Sequence, residues 1–428
     1  MATYLLTCTP AHGHVLPLLT IAAHLRAAGH RVLFLTSERY EARVRAAGVE
    51  FVALPAEADV DLDDAASVPG REGLTGPAAL RFDMITLFLR PGRAQFDAVR
   101  AILRDVAVDA VLTEPLFVGA MLLNELPRSE RPPVVALGIF PLGVRSRDTA
   151  PFGLGIPPLA GPVGRIRNAA LGFVSERVVF GPVSAEANRL ATACLDRPLR
   201  RFFLEWHAGA DAIVQFTVPE FEYPRSDLSD RVHFVGPLPA ASAAVDLPDW
   251  WSDLSRSRPV VHVTQGTVAN ADQTLLIGPT IAALAGEDVL VVVSTGGRPL
   301  DPAITPPSNV RVAPYLPYDK MLPLVDVVVS NGGYGGVQQA LAHGIPLVVA
   351  GRTEDKVEVT ARVGWSGAGI DLRTHRPSPD AVRDAVRTVL ADRAYSARAR
   401  RLADAFAVAP GLAGLDAVLR ELAPAPAV

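Results

Sequence analysis

Cysteine is almost missing from this chain. Two cysteines among 428 residues, Cys8 and Cys194, cannot build a disulfide framework, and neither has metal-type spacing. An excess of either charge is missing too. Forty-one Lys and Arg against 45 Asp and Glu leave a net charge of −4. No long basic run marks a nucleic-acid surface. No apolar stretch approaches the roughly 20 residues needed to cross a bilayer. The chain opens on strand-like Tyr4-Leu5-Leu6-Thr7-Cys8, without a basic start and a longer apolar core. No secretory signal is therefore expected, and a reducing cytoplasm is the expected setting. Internal repeats of the solenoid type are absent.

What is present is a folding composition: 49% apolar and 20% charged residues describe a globular chain, not a disordered one. Its length calls for two or three domains. Strand-like and helical patterns alternate from the start. Residues 5–9 read as a strand, followed by a helix through Leu18, Ile21, Ala22 and Leu25 that Gly29 ends. Residues 31–36 and 50–54 read as strands around a helix at 38–47. Residues 109–113, 134–137 and 212–216 are short buried-strand runs. This order predicts a parallel sheet covered by helices.

The pattern stops near Gly236. Pro237, Pro239, Pro248, the Ala/Ser run at 240–244 and Trp250-Trp251 read as a linker. Alternation resumes at Pro259-Val260-Val261-His262-Val263-Thr264. Residues 289–293, 309–312, 325–329 and 346–349 supply further strands. The expected organisation is a first α/β domain over 1–238, a linker over 239–258, a second α/β domain over 259–408, and a terminal helix and tail over 409–428. The terminal helix is amphipathic through Leu412, Leu415, Val418, Leu419 and Leu422, and a frayed tail is expected at 424–426.

Open parallel sheets bind ligands beyond the carboxyl ends of their strands. Two stretches occupy such ends. One is Ser330-Asn331-Gly332-Gly333-Tyr334-Gly335-Gly336, between an apolar strand and a helix. Its four glycines allow a sharp bend and close approach to a ligand. The helix start adds unpaired N–H groups and a positive dipole end. That is a phosphate cradle, or else a ligand-free strand–helix turn; the glycines alone admit both. The other stretch is Thr9-Pro10-Ala11-His12-Gly13-His14. Imidazole, with an ordinary pKa near ~6.5, can take a proton. At a helix N-terminus its pKa is expected to be depressed, keeping it neutral. Glu114, ending the strand 110–113, is the carboxylate positioned to hold it. A polar-loop histidine and a helix-capping Glu114 are the alternatives.

These motifs, in two α/β halves, resemble the family 1 glycosyltransferases of GT-B fold, most closely the bacterial branch that decorates macrolides and other natural products. The resemblance spans nearly the whole chain. It includes Thr264-Gln265-Gly266-Thr267, Tyr315-Leu316-Pro317-Tyr318, Pro346-Leu347-Val348-Val349 and Glu354-Asp355-Lys356. It implies two Rossmann-like domains facing across a cleft. His14, the second histidine of the pair, falls on the family's general base, with His12 secondary. Glu114 falls on the carboxylate that orients it, where the family has the shorter aspartate. In the family's C-terminal motif a histidine donates to the diphosphate and a glutamate binds the ribose. Here those positions are Asn331 and Gln339. Tyr315 replaces the tryptophan that stacks on the base, and Asp355-Lys356 replaces the Asp-Gln that reads the sugar. The resemblance thus implies a donor site of Gly266, Thr267, Tyr315, Leu316, Tyr318, Asn331, Gly333, Gly335, Gly336, Gln339, Asp355 and Lys356.

The implied reaction is inverting transfer from a UDP- or dTDP-sugar to a hydroxyl of a hydrophobic small molecule. No Asp-x-Asp sits at a suitable strand end, so no metal or other cofactor is expected. Candidate acceptor contacts are Phe82 and Phe88 on a helix and Phe140 and Phe152 on a loop, with core packing as the plainer reading of each. No nucleic-acid or membrane partner is expected; the protein is expected to be a monomer or homodimer. A sugar-nucleotide epimerase or a non-catalytic GT-B helper would share the scaffold. A nicotinamide dehydrogenase is disfavoured, because no Gly-x-Gly-x-x-Gly follows the first strand.

Overall fold

The computed structural model describes residues 1–62, 68–239, 246–255, 257–267 and 270–423. Two parallel sheets carry the chain. The first holds β1 (Thr3–Thr7), β2 (Arg31–Thr36), β3 (Glu50–Ala53), β4 (Ala110–Thr113), β5 (Val134–Gly138), β6 (Ala212–Gln215) and β7 (Val232–Phe234), in the spatial order β3-β2-β1-β4-β5-β6-β7. The second holds β8 (Val260–Thr264), β9 (Leu290–Ser294), β10 (Val310–Ala313), β11 (Val327–Ser330), β12 (Leu347–Val349) and β13 (Gly369–Asp371), in the order β10-β9-β8-β11-β12-β13. Central strands such as β4, β5, β8 and β9 are buried along their whole length. Runs of Val, Leu and Ala covered on both faces are what a parallel sheet requires.

Each order reverses once, between β1 and β4 and between β8 and β11. There the connecting helices leave to opposite faces and a crevice opens at the strand ends. Register aligns these ends: Thr7 pairs with Thr113, and Thr264 pairs with Ser330. The sequence therefore delivers His14, Glu114, Gly266 and Asn331 to the two crevices.

The two edge strands β7 and β13 lie outside the sequence reading. Each has three residues, too few to express a period. The halves also exchange packing. Val218 and Phe221, which follow β6, join the core of the second half. The Leu412–Leu422 helix returns to the first half, where Leu415, Val418 and Leu419 pack beside Leu6 and Val214. Burying such side chains stabilises by about 1.5–3 kcal/mol each, which holds the chain end on the first half. The Ala/Ser run at 240–244 and the tail at 424–426 lie outside the described residues. Trp250 and Trp251 pack on the second half's core. Among the described residues no single helix is long and apolar enough to cross a membrane.

Candidate active site

His14 is the third residue of the His12–Ala27 helix, directly after β1. Its Nδ1 lies 3.3 Å from Glu114 Oε2, an ion-pair contact that lacks hydrogen-bond alignment. Glu114 is fully buried and held on both oxygens. Oε1 accepts from the Thr9 N–H at 3.1 Å and from the Thr9 hydroxyl; Oε2 accepts from the Leu116 N–H at 2.6 Å. The hydroxyl and amide of Thr9, two residues beyond β1, hold the longer glutamate in this place.

Burial by itself would raise the Glu114 carboxyl. The charge and contact of His14, with the Thr9 and Leu116 hydrogen bonds, outweigh it and hold Glu114 below its usual range. For His14 the expected depression is corrected. Burial pulls its pKa down, but Glu114, then Asp355 and Glu354, outweigh it and leave the imidazole above its ordinary value. The carboxylate at ion-pair distance overrides the helix end. Nδ1 faces Glu114, so Nε2 is the nitrogen left to accept a proton.

The coupling to Asp355 brings the two halves together. Asp355 directly precedes the Lys356–Ser366 helix of the second half. Burial raises its carboxyl, Glu354 adds to this, and Lys356 and His14 oppose it. The Lys356 ammonium is paired with Glu354, and its side chain is buried. Gln215, ending β6, donates from Nε2 to the Tyr334 hydroxyl at 3.3 Å, a second tie between the halves.

The glycine turn follows β11 and leads into the Tyr334–Ala342 helix, with Gly333 at its N-cap. Gly332 adopts φ +84°, and a Cβ there would meet Thr360 Cγ2 at 2.6 Å. By contrast, a Cβ at Gly335 or Gly336 would meet nothing within 4 Å; the helix start faces open space. Asn331 donates from Nδ2 to the Gln265 carbonyl at 2.6 Å, joining this turn to Gly266 and Thr267, which are exposed beside it. One N–H of the Asn331 amide remains for a ligand. Gln339 is half-buried, and its carbonyl accepts from His343 Nδ1 at 2.9 Å.

Tyr315 is 51% exposed, with the hydroxyl end of its ring against Gly297, where a Cβ would collide with it. Two neighbours in the motif point elsewhere. Leu316 is in the second half's core, so only its backbone is left for a ligand. Half-buried Tyr318 donates its hydroxyl to His262 Nε2 at 2.9 Å, while His262 Nδ1 sits 2.9 Å from the Val292 carbonyl. Burial holds His262 near pKa 4, neutral and structural.

On the acceptor side, Phe140 lies 6.3 Å from His14 by ring centroids, and Phe152 lies 6.2 Å from Phe140. Phe82 packs near Gly70 and Phe88 against the first half's core. The loop pair thus brings aromatic rings toward His14. The Gly76–Asp83 helix continues as a π-helical turn over Met84–Leu89, which turns Leu87 and Leu89 inward. Sequence reading missed Asn270, whose Nδ2 reaches the carbonyls of Gly266, Thr295 and Gly296 at 2.9–3.2 Å and sets the loops beside the Asn331 turn. It also missed Glu205, in a ≈ 50 Å³ cavity behind Phe152, where burial first, and Glu176 next, push its carboxyl to about 7. Neither residue belongs to a recognisable local motif.

Two facing doubly wound halves, with a histidine–carboxylate pair at one switch point and a glycine turn at the other, define the GT-B class of glycosyltransferase. Residues 5–136 match the glycosyltransferase family 28 N-terminal domain, and residues 279–422 match the erythromycin biosynthesis protein CIII-like C-terminal domain. The 4'-demethylrebeccamycin synthase of Lentzea aerocolonigenes is 40% identical over 417 residues, covering 95% of this chain and 96% of its own. The UDP-glycosyltransferase 2 of Phaeomoniella chlamydospora is 35% identical over 437 residues, covering 98% and 96%. In fold, the chain matches the solved kitacinnamycin glycosyltransferase with a TM-score of 0.73 at 19% identity, over 99% of both chains. It matches the calicheamicin glycosyltransferase CalG4 with 0.70 at 24%, over 99% and 100%. The chain belongs to the GT-B glycosyltransferases of the natural-product branch, and it is a sugar-transferring enzyme.

Proposed function

We propose that this enzyme moves a sugar, with inversion, from a UDP- or dTDP-sugar to a hydroxyl of a hydrophobic small molecule. The observation that carries the reading is the His14 and Glu114 pair, whose electrostatics extend across the cleft to Asp355. His14 Nε2 takes the acceptor proton as the oxygen attacks the anomeric carbon. The new C–O bond forms on one face while the bond to the diphosphate oxygen breaks on the other. The proton stays on the imidazole and the electron pair leaves with the diphosphate. Glu114 stabilises the imidazolium, a role that contributes roughly 10²–10⁴-fold together with the base.

The diphosphate seats on the N–H groups at Gly333, Gly335 and Gly336 and on the free amide hydrogen of Asn331. These donors act without reorganising as charge develops. With backbone and helix end available for that charge, the reaction needs no metal or cofactor on this reading, and EDTA should leave turnover unchanged. The base stacks on Tyr315, the ribose reaches Gln339, and Asp355 meets the sugar. The acceptor lies along Phe140 and Phe152. The names of the two relatives, a natural-product synthase and a UDP-glycosyltransferase, support both substrates. A cytoplasmic enzyme acting as monomer or homodimer fits this chemistry.

The test is a thermal-shift panel of UDP, dTDP and GDP followed by product analysis. A pyrimidine diphosphate should raise the melting temperature by mass action, and NMR should find the product's anomeric configuration opposite to the donor's. Retention of configuration would overturn the mechanism. An altered sugar nucleotide without transfer would favour an epimerase.

A further inference from the structure

The Lys356–Ser366 helix touches three other parts of the enzyme through three of its residues. Thr360 backs the glycine turn, since a Cβ on Gly332 would strike its methyl at 2.6 Å. Glu358 crosses to the first half: its Oε1 accepts from the Gly153 N–H and the Gly155 N–H, both at 2.8 Å. Arg362 donates from Nη1 to Glu358 Oε2 at 2.8 Å, and from Nε and Nη2 to Glu222 Oε2 at 3.0 and 2.9 Å. Glu222 Oε1 in turn accepts from the Leu142 N–H at 2.8 Å. Residues 142–155 are therefore tied at both ends to one helix of the opposite half. Between those ties sits Phe152, next to Phe140 and so next to His14. The carboxylates and the guanidinium are all at least 95% buried. Breaking one partner would leave an uncompensated buried charge, so the ties hold together as a unit.

We propose that Glu358 is a positioning residue for the acceptor wall, through which the helix behind the glycine turn sets residues 142–155 when the donor is seated. The proposal rests on the reading that a nucleotide diphosphate occupies that turn. A ligand on the turn bears on Gly332 and hence on Thr360. The helix carries the displacement two residues back, to Glu358, and so to the backbone of Gly153 and Gly155. Gly155 is also pressed on this helix directly: at φ +59°, a Cβ there would meet Val357 Cγ2 at 2.6 Å and the Val357 carbonyl at 2.7 Å.

The test uses the full chain and three variants. Glu358→Ala removes the tie. Glu358→Gln keeps an oxygen for the two glycine amides. Gly155→Ala pushes the loop off the helix without touching any charge, which covers the case in which Glu358→Ala fails to fold. In hydrogen–deuterium exchange, saturating UDP or dTDP should slow residues 142–155 of the wild type but not of Glu358→Ala or Gly155→Ala. Both variants should raise the acceptor KM roughly tenfold while nucleotide affinity by calorimetry stays within about twofold, with Glu358→Gln recovering part of the loss. Unchanged acceptor kinetics in folded Gly155→Ala, or equal losses toward nucleotide and acceptor, would overturn the proposal. So would nucleotide binding in the wild type that leaves 142–155 exchanging as before. If the wild type binds neither nucleotide, the donor reading has failed first, and the relay falls with it.

Discussion

The two switch points stand at equivalent places in two similar sheets, yet they manage charge by opposite means. Between β1 and β4, a buried carboxylate and an imidazole tune one another. Between β8 and β11, where the resembling family has a histidine, Asn331 holds the neighbouring turn, and the exposed helix start supplies uncharged donors. The proton transfer proposed for the first site needs a group that titrates, so that site cannot trade its histidine for an amide. An anion needs only oriented N–H groups and a dipole, so the second site can. Lys356 sharpens the contrast, because the lysine beside the donor crevice is already paired with Glu354.

His14→Ala gives the largest break in this comparison. Turnover on an aliphatic alcohol should fall by roughly 10²-fold or more, with nucleotide affinity nearly unchanged. His12→Ala should do much less; its ring lies beside Arg43, with Nδ1 3.4 Å from the guanidinium. Full turnover by His14→Ala on such an alcohol would remove the histidine base from the mechanism.

Gly335→Val tests the other site. The space beyond Gly335 is open, so the fold should tolerate valine while its methyls occupy the phosphate position. Nucleotide affinity should drop by at least roughly tenfold at unchanged melting temperature, as expected when several charge-assisted hydrogen bonds are lost. Calorimetry finding wild-type affinity would put the phosphates elsewhere.

Asn331→Ala should be milder. It removes one donor to a charged group and one tie to Gln265, so nucleotide binding should weaken by about 1–2 kcal/mol. Because the tie to Gln265 also shapes the turn, Asn331→His should restore affinity only if the imidazole reaches that carbonyl as well. Untouched affinity in Asn331→Ala would mean that its amide serves the turn and not the ligand.

The same contrast explains what was legible in the sequence. Both crevices were, because each is written in one continuous stretch: a strand, a turn, a helix start. βα alternation permitted a pairing of His14 with Glu114, while the strand order that sets β1 beside β4 was not legible. Partners fixed only by packing were not legible. Glu222 and Arg362 are 140 residues apart, and nothing local to either announces the other. The terminal helix displayed its apolar stripe but not its target, the first half's core. The motif around Tyr315 concealed the inward turn of Leu316, because a loop between a strand and a helix has no period to assign sides. The direction of the His14 shift was misread for a related reason: the helix end is visible in sequence, whereas the 3.3 Å separation from Glu114 is not.

Glu114→Gln gives the finest discrimination. In the proposed mechanism the base works as neutral imidazole, so activity should rise with pH through a folded pKa above the ordinary histidine value. Glutamine keeps the size and outline of the side chain, gives up one of the two accepting oxygens that Thr9 and Leu116 use, and removes the charge that raises that pKa. The acid limb of kcat/KM should therefore move to lower pH in the variant. On the alkaline side both enzymes carry neutral imidazole, and the variant should lag by roughly tenfold, a part of the general-base contribution, because its imidazolium is less stabilised in the transition state. On the acid side the gap should narrow, since the variant retains more of the neutral form. A phenol with an acidic hydroxyl would blunt the difference, so the profile belongs on an aliphatic alcohol. Parallel limbs with a constant gap would mean that Glu114 only orients His14, and that the charge in the first crevice matters no more than it does in the second.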